Sequence, residues 1–166
     1  LALNCDWDHV DRYESSETLA NAFQALFDRT KDSLVIPRGS EPEQWARRDG
    51  LSAGIVTFDP NDEPASYQET NRRAVLAAGQ ALGVDLTGVD YSAFPGMNRR
   101  QSVLHQSPTR CVVEDYAHHP TEIRAFLSQR RMQLADHALQ VIFQPHRFTR
   151  TEALAERFAE ELSQAD

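Results

Sequence analysis

One pattern between residues 110 and 163 limits the fold more than any other, because it occurs twice. A short apolar run leads into a polar loop, and helical spacing follows. RCVVED at 110–115 has a continuous apolar centre and opens into the loop YAHHP. Pro120 then starts a helix over 120–134, at the first position where its missing N–H costs nothing, with Ile123, Phe126, Leu127 and Leu134 as its apolar stripe. ALQVIFQ at 138–144 is the second strand, PHRFTR the second loop, and a helix over 151–163 follows with Leu154, Phe158 and Leu162 four apart. Connections this short predict a parallel pair with right-handed crossovers, so the fold class is α/β, with a C-terminal Rossmann-like β-α-β-α unit.

Upstream the signals are shorter. Ser15 or Ser16 caps a helix to about residue 29, striped by Leu19, Phe23, Leu26 and Phe27. Leu34–Ile36 forms a short buried strand closed by Pro37 and Gly39, and GIVTF at 54–58 forms another, ended by a DPND turn. Residues 38–53 and 59–70 lack a period and are expected to be loops. NRRAVLAAGQALG at 71–83 reads as a helix with Val75, Leu76, Gly79 and Leu82 inward and Gly83 as its left-handed stop. Residues 86–100 are the expected linker, which places a boundary near 92 and divides the chain into units 1–92 and 93–166. SVLHQ, from 102, is a further short strand.

In a parallel sheet, loops leaving the C-terminal strand ends share one edge, and ligands of open α/β sheets bind there. Asp115, Tyr116, His118, His119, His146, Arg147 and Arg150 are therefore expected to converge. Imidazoles and guanidiniums gathered on one edge of a chain with formal net charge −8 describe an anion site. Helix caps and surface histidines are the plainer reading, and a zinc site is the competing sharp one. The acidic balance argues against non-specific nucleic-acid binding. No apolar run approaches the roughly 20 residues of a membrane span. Two cysteines, Cys5 and Cys111, do not make a disulfide scaffold and point to a reducing, cytoplasmic setting.

EDYAHHPTEI and VIFQPHRFTRTEALAERF closely resemble the C-terminal domain of the Mur ligases. NCDWDHVDRY at 4–13 resembles the Asn-x-x-x-Asp-His-x-Asp segment of that family's central ATPase domain. FPGMNRRQS at 94–102 resembles its Phe-x-Gly-x-x-Arg-Arg segment. Residues 71–83 resemble the helix that usually begins His-Asn-x-x-Asn, with Asn71 matching the first Asn while Thr70 and Ala74 replace the His and the second Asn. The resemblance implies an α/β ATPase-type central fragment ahead of the C-terminal unit. It also implies that a carboxylate is activated with ATP as an acyl phosphate and then attacked by an amine. For the members most like this chain the acid is UDP-N-acetylmuramate, the amine is L-alanine, and the cofactors are ATP and Mg2+.

Residue by residue, the resemblance places His146 and Arg147 at the reaction centre. Tyr116, His118 and Arg150 would lie around the amino acid, and His119 would brace the loop. Asn71, Arg100 and Asp115 would lie near the nucleotide, and His9 would bind a magnesium ion. The chain has no G-x-x-x-x-G-K-[ST] phosphate loop, so it is expected to be a piece of a longer ligase and inactive alone. A non-catalytic nucleotide- or amino-acid-binding module is the alternative from a different class, and a tripeptide-recycling ligase is the alternative within the family.

Overall fold

The structure, a computed structural model, describes residues 1–48, 50–60, 67–94 and 96–166. Helix α1 (Ser16–Arg29) begins at a reciprocal cap. Thr18 N–H donates to Ser15 Oγ at 3.2 Å, and Ser15 N–H donates to Thr18 Oγ1 at 3.1 Å. Such a cap is worth about 1 kcal/mol. Strands β1 (Ser33–Pro37) and β2 (Gly54–Phe58) pair in parallel with Val35 opposite Val56. Helix α2 (Glu41–Ala46) lies within their crossover, where a loop was expected. Six residues are too few to show a helical period. Ser40 caps α2, Pro42 sits in its first turn, and Ala46 is buried.

β1 is buried on both faces, which its unbroken apolar run requires. Leu34 and Ile36 face Phe27 of α1 together with Ala46 and Ala53. Val35, on the opposite face, packs with Phe58 and with Ala74 and Ala77 of α3 (Tyr67–Ala81). The inward face of α3 differs from expectation. Gly79 is buried as expected, but Val75 and Leu82 are exposed and the small residues Ala74 and Ala77 are buried in their stead, which lets the helix lie close to its neighbours. At Gly79 a Cβ would lie 2.6 Å from Leu86 Cδ1, so this close approach requires glycine. The DPND turn expected after β2 runs into residues 61–62, outside the described residues.

The second unit opens with an antiparallel hairpin, β3 (Ser102–Gln106) and β4 (Cys111–Glu114), closed by Ser107 N–H on Arg110 O at 2.8 Å. Helix α4 (Pro120–Gln133) follows. The expected helix 151–163 starts earlier and is two pieces, α5 (Phe148–Ala153) and α6 (Ala155–Leu162), broken at Leu154. Ile123, Leu127, Leu154 and Phe158 form the core here, with Phe143 stacked 5.3 Å from Phe158.

Residues 138–144 form no strand and have no ladder partner among the described residues, which corrects the expected pairing with 110–115. Leu139, Val141 and Phe143 pack on the core while Ile142 between them is fully exposed, so side chains hold this segment where a ladder was expected. The α/β class stands, and β1–β2 is the parallel pair.

Candidate functional site

The two loops meet. The His118 and His146 rings lie edge-on with centroids 6.5 Å apart, and Tyr116 packs edge-on against His118 at 5.3 Å. Two guanidiniums cover the Tyr116 ring, Arg99 at 5.1 Å and Arg100 at 5.5 Å. This places cationic and aromatic groups together on a half-exposed rim. The motif reading assigned no role to Arg99, which lies nearer the ring than Arg100 does.

The N-terminus of α4 fixes this loop. Glu122 Oε2 accepts the His118 N–H at 2.9 Å and the His119 N–H at 3.3 Å, and it lies 3.3 Å from His118 Nδ1. His118 Nδ1 also lies 3.0 Å from Tyr116 O. With oxygen acceptors on both sides, Nδ1 carries the proton, and in the neutral ring Nε2 keeps its lone pair. His119 is buried and caps α4. Its Nδ1 accepts from Thr121 N–H at 3.3 Å, so Nε2 donates to Trp7 O at 3.2 Å. The sequence reading missed Glu122; its spacing as the last residue of a cap-x-x-Glu box is the signal that marks it, although His is an uncommon cap.

The segment 6–13 lies against the second loop through its carboxylates. Arg150 is buried and donates Nε to Asp8 Oδ1 at 2.6 Å and Nη2 to Asp8 Oδ2 at 2.9 Å, with Nη1 on His146 O at 3.3 Å. Its planar fork is therefore fully engaged inside the protein, not on the rim. Burial pushes the Asp8 carboxyl up, but the Arg150 hydrogen bonds and the His9 N–H outweigh it, so Asp8 titrates below the ordinary carboxylate value. Arg147, held at φ 70° without a side-chain cap, puts Nη1 at 3.2 and 3.3 Å from the two Asp11 oxygens. A non-glycine residue in that conformation is strained, a feature concentrated at functional positions.

The expected nucleotide residues do not form one cluster. Asn71 is exposed on α3, and Ala74, in the place of the family's second Asn, is buried in the core. Asp115 accepts Gln101 N–H at 3.0 Å and Ala117 N–H at 2.8 Å, and Tyr67 Oη lies 3.5 Å away. Burial and the Asp115 charge raise the Tyr67 hydroxyl above its ordinary value. Arg100 reaches Glu122 at 3.7 Å.

His9, also at positive φ, is exposed beside Asp8. The carboxylates near it, Asp8 and Asp11, already face guanidiniums. Among the described residues no group of three or more His, Cys, Asp or Glu is placed to hold a metal ion. The residues present do not by themselves fit a magnesium site. Lys31 is the single lysine and sits before Asp32, so no Gly-Lys phosphate loop is available within the chain. Among the described residues no helix is long and apolar enough to cross a membrane.

No protein-family model matches the chain. It is similar to the UDP-N-acetylmuramate–L-alanine ligase of Arthrobacter sp. (strain FB24), with 31% identity over 201 residues, covering all of this chain and 43% of the relative. The enzyme of that name from Bifidobacterium longum subsp. infantis is 42% identical over 124 residues, covering 70% of this chain and 24% of the relative. The fold matches the crystal structure of the Thermotoga maritima UDP-N-acetylmuramate-alanine ligase with TM-score 0.68 and 27% identity, over 98% of this chain and 43% of that one. The chain thus spans less than half the length of these relatives. Alike in sequence over its whole length and in fold over nearly all of it, the chain belongs to the Mur ligase family as a partial relative of the UDP-N-acetylmuramate–L-alanine ligases.

Proposed function

We propose that this chain supplies the amino-acid-binding part, and a portion of the nucleotide-binding part, of an ATP-dependent ligase joining L-alanine to the lactyl carboxylate of UDP-N-acetylmuramate in peptidoglycan precursor synthesis. The division near residue 92 belongs to the same reading, with the amino acid held by residues after it. The observation that carries the proposal is the approach of His118 and His146 from two separate loops, with Tyr116 and two guanidiniums beside them.

L-Alanine presents a carboxylate and an amine. The carboxylate goes to Arg147, whose guanidinium stays charged at every working pH and reaches the loop surface. His146 and the His118 Nε2 lone pair accept hydrogen bonds from the amino group and take the proton it must shed, so that its freed lone pair attacks the activated acid and phosphate leaves. Tyr116 walls the small side chain. Arg100, with Arg99 beside it, spreads positive charge toward the phosphate-bearing side, where negative charge develops. ATP, when bound, supplies the activation of the acid. Asn71 and Asp115 are its nearest polar groups in this reading, and Asp115 meets it by giving up its contact with Gln101. Arg150 acts here through Asp8 and not on the ligand.

Titration calorimetry with L-alanine and L-alaninamide tests the proposal. The chain is expected to bind L-alanine and to bind the amide at least tenfold more weakly. Arg147→Ala should cost L-alanine about tenfold or more, since a charge-assisted contact is worth about 1.5–3 kcal/mol. Equal affinity for acid and amide would remove the carboxylate site, and with it the proposal.

A further inference from the structure

Segment 6–13 brings two carboxylates to two guanidiniums of one loop, and the two pairs differ in kind. Asp8 meets Arg150 through two nitrogens at 2.6 and 2.9 Å, with the guanidinium side chain 3% exposed. Asp11 meets Arg147 through a single nitrogen at 3.2 and 3.3 Å, with side chains 48% and 42% exposed. The first pair is fixed, because separating it strands a buried charge. The second is a loose surface pair that water and salt weaken and that a better-placed carboxylate displaces.

We infer that Asp11 is a built-in stand-in for the ligand carboxylate at Arg147, and that its competition sets how tightly the site takes an amino acid. The inference rests on the reading of Arg147 as the carboxylate-binding group. Both the amino acid and Asp11 offer a carboxylate to the same Nη1. The strained Arg147 backbone and the Asp8–Arg150 clamp three residues on hold that guanidinium where Asp11 reaches it. A ligand must release Asp11 to solvent before its own contact forms. Because an exposed pair is weak, the effect is a modulation: removing the Asp11 charge should tighten binding about two- to fivefold.

The experiment follows the His118 and His146 imidazole resonances of the full chain during titration with L-alanine, in the parent protein, in Asp11→Asn and in Asp11→Ser. Both variants should bind about two- to fivefold more tightly at low ionic strength, with the gap closing as salt rises. In an Arg147→Ala background Asp11→Asn should confer no gain. Equal affinities in parent and variants overturn the inference and leave the Arg147 reading intact. No response to L-alanine in any of the three overturns that reading and the inference together.

Discussion

Arg150 closes on Asp8 across 142 positions of sequence, Nε to Oδ1 at 2.6 Å and Nη2 to Oδ2 at 2.9 Å. The pair joins the acidic segment 6–13 to the start of α5, and Arg150 Nη1 on His146 O extends the join to the site itself. Loop geometry around His146 therefore depends on a residue near the other end of the chain.

Arg150→Met removes the fork and leaves the Asp8 carboxylate facing an apolar wall. Stability should fall by about 2–4 kcal/mol, toward the lower end because Asp8 keeps some contact with water. Arg150→Lys should recover only part, since an ammonium cannot make the paired contact. Urea denaturation of the single variants, and of the double variant with Asp8→Asn, gives the coupling between the two residues directly.

Asp8 titrates below the ordinary carboxylate value when folded, so its contribution to stability is fully present above that value of 3.8 and is lost as pH falls toward its lower folded value. Denaturation midpoints should therefore drop below about pH 4, and Asp8→Asn should flatten that part of the profile. An unchanged acid limb in the variant would remove Asp8 as its source.

Segment 138–144 alternates strictly, and its two faces should respond in opposite ways. Phe143→Ala opens the contact with Phe158 and should cost about 2–3 kcal/mol, less than a fully buried phenylalanine because Phe143 is only partly buried. Ile142→Thr, at a fully exposed position, should stay within about 0.5 kcal/mol of the parent. Thermal unfolding of both variants checks the pair.

The two thiols should separate cleanly on alkylation. Burial, then the charges of Asp6 and Glu41, push Cys5 up to about 12, so little thiolate exists near neutrality. Cys111 lies exposed on β4. Iodoacetamide at pH 8 followed by peptide mass mapping should show Cys111 modified and Cys5 spared.

Much of this architecture was legible because it rests on local signals. Ser15 capped α1 where its hydroxyl and the following stripe required, and Pro120 fixed the start of α4. The meeting of the two loops followed from where each leaves an apolar run, although the second run, 138–144, is held by Leu139, Val141 and Phe143 without a ladder. Other features were hidden for physical reasons. Two turns of helix at 41–46 cannot display a period. The inward face of α3 is lined by alanines, which carry little hydrophobic signal beside Val75 and Leu82. The partners of Asp8 and Asp11 stayed hidden because nothing local marks a carboxylate whose partner lies far along the chain. Arg150 was assigned to the rim on its motif, and only the three-dimensional contact with Asp8 shows that its donors are engaged inside.

The central relationship is the His118–His146 approach, and a nuclear Overhauser experiment on imidazole-labelled protein measures it. Edge-on rings with centroids 6.5 Å apart should give a cross-peak between their carbon-bound protons, alongside one from His118 to Tyr116. L-Alanine should then shift both imidazoles with a single apparent affinity. A His118–Tyr116 peak without any His118–His146 peak, and shifts confined to one ring, would contradict a site shared between the two loops.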